Sequence, residues 1–231
     1  VWQHNYPRRK ETYFVIMAEI KKERLLTAPV SPIEYGIYQM ESHVVEELQN
    51  YCMDLFNDPM LEQRKFNSST ASHIEHQYIA TDDINKTVTS CAKQLIKSMC
   101  PDIPDYLMWS PTPTWVNFQQ KYEFIPPSEM IGKDYSFFCV VKVPFKIEEE
   151  MELPHVKDSI NPSVGKHSLF YTNPLGKTSH REFVFTEADE GVLVLYPSSL
   201  LYTLNPFYTS DDYHIVIQGS LLLIEKPVEI A

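Results

Sequence analysis

Two short patterns in this sequence place a carboxylate two residues after an imidazole. They are His73–x–Glu75, followed at once by His76, and His180–x–Glu182, followed later by His214 in an apolar run. Two histidines and one carboxylate on one face of a ferrous ion make a facial triad, with open positions left for oxygen and substrate. His180, Glu182 and His214 are therefore one candidate metal set. The competing reading, which is preferred, makes Thr178–Ser179–His180–Arg181 a turn entering the strand Glu182–Phe185, with His180 in solvent. His73, Glu75 and His76 lie in a polar stretch, 62–77, where a solvated cluster is the plain expectation.

Other chemistries find less support. Ser198–Ser199 lacks the GxSxG elbow that would activate a serine. No glycine-rich phosphate loop occurs, and with 6 Gly against 17 Pro the turns are built largely on proline. Cys139 alternates within an apolar strand, where a core thiol is expected rather than a nucleophile. Cys52, Cys91 and Cys100 sit among apolar residues at helical spacing, and no CxxC pair occurs, so buried reduced thiols are expected. Glu148, Glu149 and Glu150 read as a solvated loop.

The elements that must position these residues change character along the chain. Residues 12–20, TYFVIMAEI, predict a first strand. From Ser42 to Phe56, the residues Val44, Val45, Leu48, Tyr51, Cys52, Leu55 and Phe56 fall on one helical stripe that Asp58–Pro59 ends. A second helix, capped at Asp83, carries Ile84, Val88, Cys91, Leu95, Ile96 and Met99 before Pro101 closes it. After about residue 113 the sequence turns to short strands: 114–118, 135–144, 168–172, 182–185, 191–197 and 213–224. An acidic insertion, 146–167, interrupts them as a loop over the sheet. Helices first and antiparallel strands afterwards predict an α+β chain: a jelly-roll or double-stranded β-helix core with two amphipathic helices packed on the larger sheet. Residues 1–231 are expected to form a single domain, with the N-terminal strand and helices in 1–110 and the β core in 111–231.

Twenty basic against 31 acidic residues give a net charge of −11, which disfavours a broad nucleic-acid surface. The basic run Arg8–Arg9–Lys10 reads as a solvated arm. No apolar run is long enough to span a bilayer and the N-terminus has no signal-like core. Neither membrane insertion nor secretion through a signal peptide is expected.

Three blocks carry a resemblance: WVNFQQKYEF; DYSFFCVVKVPF with EEE after it; and EGVLVLYPSSLLYTLNPFYTSDD. Over about residues 110–224 the chain resembles the 2-oxoglutarate/Fe(II)-dependent oxygenases. More narrowly, it resembles small uncharacterised members of tailed phages, especially those of marine cyanobacteria. The resemblance implies a double-stranded β-helix with helices on the larger sheet. It also implies iron held by two His and one carboxylate, and an Arg pairing the far carboxylate of 2-oxoglutarate. Carried over by position, the first His falls at Ser128, the second ligand at Met130, the distal His at Tyr202 and the cosubstrate Arg at His214. None of the four is the residue that the family requires, so the chain is similar to a degenerate member.

The resulting expectation is a protein with no catalytic, cofactor-binding or metal-binding residues. It would act as a structural or protein-binding component of a phage virion, in the tail, neck or capsid. Its partners would be virion subunits or copies of itself, and its location the virion or the host cytoplasm. Met130 and Tyr202 are expected to fill the former site, with Ser128 or Glu129 bonding the Tyr202 hydroxyl. Trp2, Tyr6, Tyr208 and Tyr213 are aromatics suited to an interface. The alternative is an Fe(II)/2-oxoglutarate-dependent hydroxylase with rearranged ligands, namely His180, Glu182 and His214.

Overall fold

A computed structural model of the chain describes residues 26–30, 33–66, 72–172 and 176–227. The expected strand at 12–20, the basic run at Arg8–Lys10, and Trp2 and Tyr6 lie outside the described residues. Two helices carry the apolar stripes read from the sequence. Helix α1, Ser42–Phe56, buries Val45, Leu48, Cys52 and Leu55. Helix α2, Asp82–Met99, buries Ile84, Val88, Ala92, Leu95 and Ile96. Its cap is Thr81 rather than the expected Asp83: the Thr81 hydroxyl accepts the Ile84 N–H at 3.4 Å. Asp82 and Asp83 then occupy the first turn, where the positive end of the helix dipole favours carboxylates.

The strands are β1 (Leu26–Val30), β2 (Ile33–Gln39), β3 (His76–Ile79), β4 (Leu107–Pro111), β5 (Trp115–Gln119), β6 (Ile125–Ser128), β7 (Tyr135–Lys142), β8 (Lys166–Thr172), β9 (Thr178–Val184), β10 (Val192–Pro197), β11 (Leu201–Leu204) and β12 (His214–Glu225). They form two antiparallel sheets. The larger runs β1-β2-β10-β7-β12-β5-β3, with β4 also paired to β12, and the smaller runs β6-β11-β8-β9. This is a double-stranded β-helix in an α+β chain, with both helices on the outer face of the larger sheet. The first part of the chain gives more than helices to it, because β1, β2, β3 and β4 all join the larger sheet.

Alternation along β7 shows how one strand serves two cores. Phe137, Cys139 and Val141 face the helices, while Phe138 and Val140 face the smaller sheet. Both faces are buried, so the sequence reads as an unbroken apolar run. On the helix side, Gly36 in β2 is a requirement of close approach. A Cβ there would stand 2.5 Å from Met99 Sδ and 2.8 Å from Leu95 Cδ1, so a side chain would force those two α2 side chains to move.

Two sequence expectations are corrected here. Residues Thr178–Arg181 are not a turn but the first half of β9, paired from Thr178 with Thr172 through Arg181 with Leu169. The acidic insertion is not wholly a solvated loop. It contains a short helix, α3 (Ile147–Met151), whose Glu150 is fully buried. Glu150 accepts the Tyr208 N–H at 3.0 Å, and the N–H and hydroxyl of Thr209 at 2.7 and 2.6 Å. A buried carboxylate needs such donors, and the chain supplies them where it turns before β12.

Candidate functional site in the barrel

The space between the two sheets is where a double-stranded β-helix carries a site, and here its walls are aromatic. Phe138, Phe183, Phe185, Tyr196, Tyr202 and Phe207 are all buried in one cluster between the sheets. The Phe138 ring centre lies 4.8 Å from that of His167 and 5.1 Å from that of Tyr202. Tyr196 and Tyr202 stack with centres 6.1 Å apart.

Each of the four positions named by the resemblance can now be placed. Ser128 ends β6 and is the cross-strand partner of Tyr202 on β11, so those two positions do meet across the smaller sheet. Met130 lies beyond the end of β6, half-buried, and belongs to neither core cluster; the expectation that it points inward as a plug is corrected. Tyr202 does point inward and is buried. Its hydroxyl is bonded not to Ser128 or Glu129 but to Nδ1 of His167 on β8, at 2.9 Å. His214 opens β12, buried, with Gln119 of β5 as its cross-strand partner.

His167 is the interior residue that sequence reasoning missed. It falls at the end of the acidic insertion, one residue before the strand that the sequence predicts from Ser168. The signal was present: His167, Leu169 and Tyr171 alternate with Ser168 and Phe170, and the first three form one face. His167 and His214 come from opposite sheets, yet their ring centres are 5.3 Å apart.

The protonation of the two rings follows from their surroundings. Gln119 spends its amide N–H groups on the carbonyls of Glu123, at 2.6 Å, and Asn205, at 3.1 Å. Its oxygen therefore faces His214 Nδ1 as an acceptor, at 3.0 Å, and that nitrogen must carry the hydrogen. Burial pushes the His214 ring down to about 3. Burial, and then the neighbouring His214, hold His167 well below its ordinary 6.5. Burial, and then Tyr196, hold the Tyr202 phenol well above 10. At neutral pH all three are uncharged.

The alternative set is not assembled. His180 and Glu182 sit on the outer side of β9, with His180 Nε2 and Glu182 Oε1 3.9 Å apart, and Glu182 is paired with Lys166 at 2.8 Å. Phe183, next along the strand, faces inward to the core, and His214 lies within the barrel. Among the described residues, no group of three His, Cys, Asp or Glu side chains is placed to hold a metal ion. In the other H-x-E segment, the His73 ring stacks on Phe124 and His76 Nδ1 is bonded to the Tyr78 hydroxyl at 3.0 Å. Ser198 is tied to Ser136 at 2.7 Å in a buried hydroxyl cluster with Ser220, and Cys139 faces the helices.

The fold is a double-stranded β-helix with two helices on its larger sheet. No family model matches the sequence, and no curated protein is significantly similar to it. Solved structures similar to the chain include two prolyl hydroxylases and a member of the 2OG-Fe(II) oxygenase family. A prolyl-4-hydroxylase from Pseudomonas putida aligns with a TM-score of 0.50 and 11% identity, over 81% of this chain and 91% of that one. A viral collagen prolyl hydroxylase from Paramecium Bursaria Chlorella virus-1, in its 2OG complex, aligns with a TM-score of 0.48 and 8% identity, over 81% and 94%. An oxidoreductase of the 2OG-Fe(II) oxygenase family from Burkholderia pseudomallei aligns with a TM-score of 0.42 and 8% identity, over 90% and 76%. At 11% identity the likeness to the Pseudomonas putida structure carries the fold alone.

The residues at the four positions do not fit the iron and cosubstrate that the resemblance implies. Iron(II) needs imidazole and carboxylate donors, whereas Ser128 and Met130 offer a hydroxyl and a thioether. The neutral Tyr202 phenol is already engaged with His167. The buried carboxylate of Glu150 is occupied by Tyr208 and Thr209. A neutral His214 brings no positive charge to a carboxylate, where an Arg fork would bring one.

Proposed function

We propose that this chain is a non-catalytic member of the oxygenase-like fold, used as a structural or protein-binding component. The observation that carries the reading is the Tyr202–His167 hydrogen bond. It places a neutral phenol, already partnered, at the position where the resemblance calls for a metal-binding imidazole. The ring cluster of Phe138, Tyr196 and Tyr202 around it supports the same reading, since it packs side chains where an enzyme would admit ligands. No metal and no cofactor takes part in this function. The partners are other proteins, and the resemblance to phage proteins supports subunits of a virion or further copies of the chain. The charge of −11 supports a surface that avoids nucleic acid.

Anaerobic reconstitution with Fe(II), followed by metal analysis and thermal scans with 2-oxoglutarate, tests the catalytic half of the proposal. Iron at trace level and an unmoved melting temperature are expected. A bound ligand at a hundred times its dissociation constant would add about 2.7 kcal/mol, which a scan would resolve. One tightly held iron per chain would establish the hydroxylase alternative. Quantitative mass spectrometry of purified phage particles tests the structural half. A fixed copy number per particle is expected, and absence from particles would exclude the virion placement.

A further inference from the structure

Two buried nitrogens inside the barrel have hydrogen-bonding capacity that no group among the described residues uses: Nε2 of His167 and Nε2 of His214. Both rings are otherwise anchored, His167 through Nδ1 to Tyr202 and His214 through Nδ1 to Gln119. The hydrogen on His214 Nδ1 leaves its Nε2 as a bare lone pair, which demands a donor. His167 is either a second acceptor or a donor at Nε2, according to which way the Tyr202 hydroxyl points. Buried polar atoms without partners are rare in folded proteins, and two on facing rings in one interior call for a shared cause.

We propose that His167 and His214 together form an interior site for one neutral molecule of water's size, which gives and accepts hydrogen bonds and joins the two sheets through the barrel centre. The chemistry selects this occupant. The walls are apolar: Phe138 and Phe185 pack on His167, and Phe145 and Phe207 on His214. A divalent cation there would be buried with two neutral donors and no anionic one, which desolvation opposes. A carboxylate ligand would meet two uncharged rings and no cation. A water donates to His214 and either donates to or accepts from His167, so it satisfies both tautomers of His167. The ring centres lie 5.3 Å apart at 77°, a separation that one bridging water with hydrogen bonds of about 2.9 Å can accommodate. Bridging otherwise unsatisfied groups is what buried waters do.

Imidazole NMR of the full chain labelled with 15N-histidine tests the site directly. His214 is expected as the Nδ1–H tautomer, with an Nε2 shift of a hydrogen-bonded acceptor. Cross-relaxation is expected between the His214 ring and a water that exchanges far more slowly than bulk. In the variants His167→Phe and His214→Phe that water contact should disappear. The double variant should lose less in urea than the sum of the two single losses, since the cost of stranding the shared molecule is counted once while the lost bonds to Tyr202 and Gln119 add. A free Nε2 on both rings with no water contact would overturn the proposal. So would strictly additive losses, or a stoichiometric Zn(II) or Cu(I) that shifts both Nε2 resonances on titration. The wild-type spectra decide the matter alone if a variant fails to fold. None of these readouts depends on a protein partner, so their failure and failure of the proposed function are separable.

Discussion

The Tyr202 hydroxyl lies 2.9 Å from Nδ1 of His167, joining β11 to β8 inside the barrel across 35 residues of sequence. Tyr202→Phe keeps the ring and deletes this bond, leaving a buried nitrogen without a partner. A loss of about 1–3 kcal/mol is expected from urea denaturation. Ser128→Ala, at the half-buried end of β6, should change stability by less than about 0.5 kcal/mol. Equal losses for the two would mean that the Tyr202 hydroxyl is held in some other way.

Acid should weaken the fold through the buried histidines. His214 is pushed down to about 3 in the folded protein, while in the unfolded chain it returns to about 6.5. The neutral ring is thus favoured by folding. The stability it contributes is complete above pH 6.5 and is lost as pH falls from there towards 3. Each such group accounts for about 1.4 kcal/mol per pH unit across that window. Urea midpoints measured from pH 8 to pH 4.5 should fall more steeply for the parent protein than for His214→Asn. Parallel profiles would show that His214 does not titrate with unfolding.

Restoring the family's residues should harm the protein. Ser128→His, Met130→Asp and Tyr202→His together remove the Tyr202 ring from its packing against Phe138 and Tyr196 and strand His167. A loss of about 2 kcal/mol or more is expected in metal-free buffer, read by thermal or urea unfolding. A triple variant as stable as the parent would contradict a barrel interior filled by these rings.

The thiols provide a separate measure of packing. Burial pushes Cys52 up to about 12 and Cys91 up to about 11, and holds Cys139 well above 9. Thiols rather than thiolates are therefore present at pH 8, and thiolates are what react. Alkylation of Cys52 and Cys139 by iodoacetamide should be slow in buffer and accelerate only through the unfolding transition, when followed by intact mass. Fast labelling of either in the native protein would reveal frequent opening between the helices and β7.

The features legible in the sequence are those governed by local periodicity. The stripe from Val45 to Leu55 gave α1 its residue limits, and the apolar runs of β7, β10 and β12 stood out because both of their faces are buried. Strands β1 and β6 did not stand out. Each contains proline, which removes a ladder donor and is tolerated at sheet edges, where both strands lie. At the site, the equivalence of 128 and 202 could be read from the resemblance, and the two prove to be cross-strand partners. His167 could not be matched to Tyr202 from spacing, because β8 and β11 are joined only by long-range pairing. Glu150 was misread for a related reason. In a run of three glutamates, nothing local marks the one that the turn before β12 will recruit.

That recruitment affects the order in which the chain can assemble. The contacts from Glu150 to Tyr208 and Thr209 close loops of 58 and 59 residues, which contain β8, β9, β10 and β11. Ends so far apart meet at low entropic cost only after the intervening hairpins have drawn them together. The bonds are therefore expected to form late, on a barrel whose smaller sheet is already paired. Glu150 would then act as a closing fastener: Glu150→Ala should raise the unfolding rate and leave the folding rate nearly unchanged in stopped-flow urea experiments.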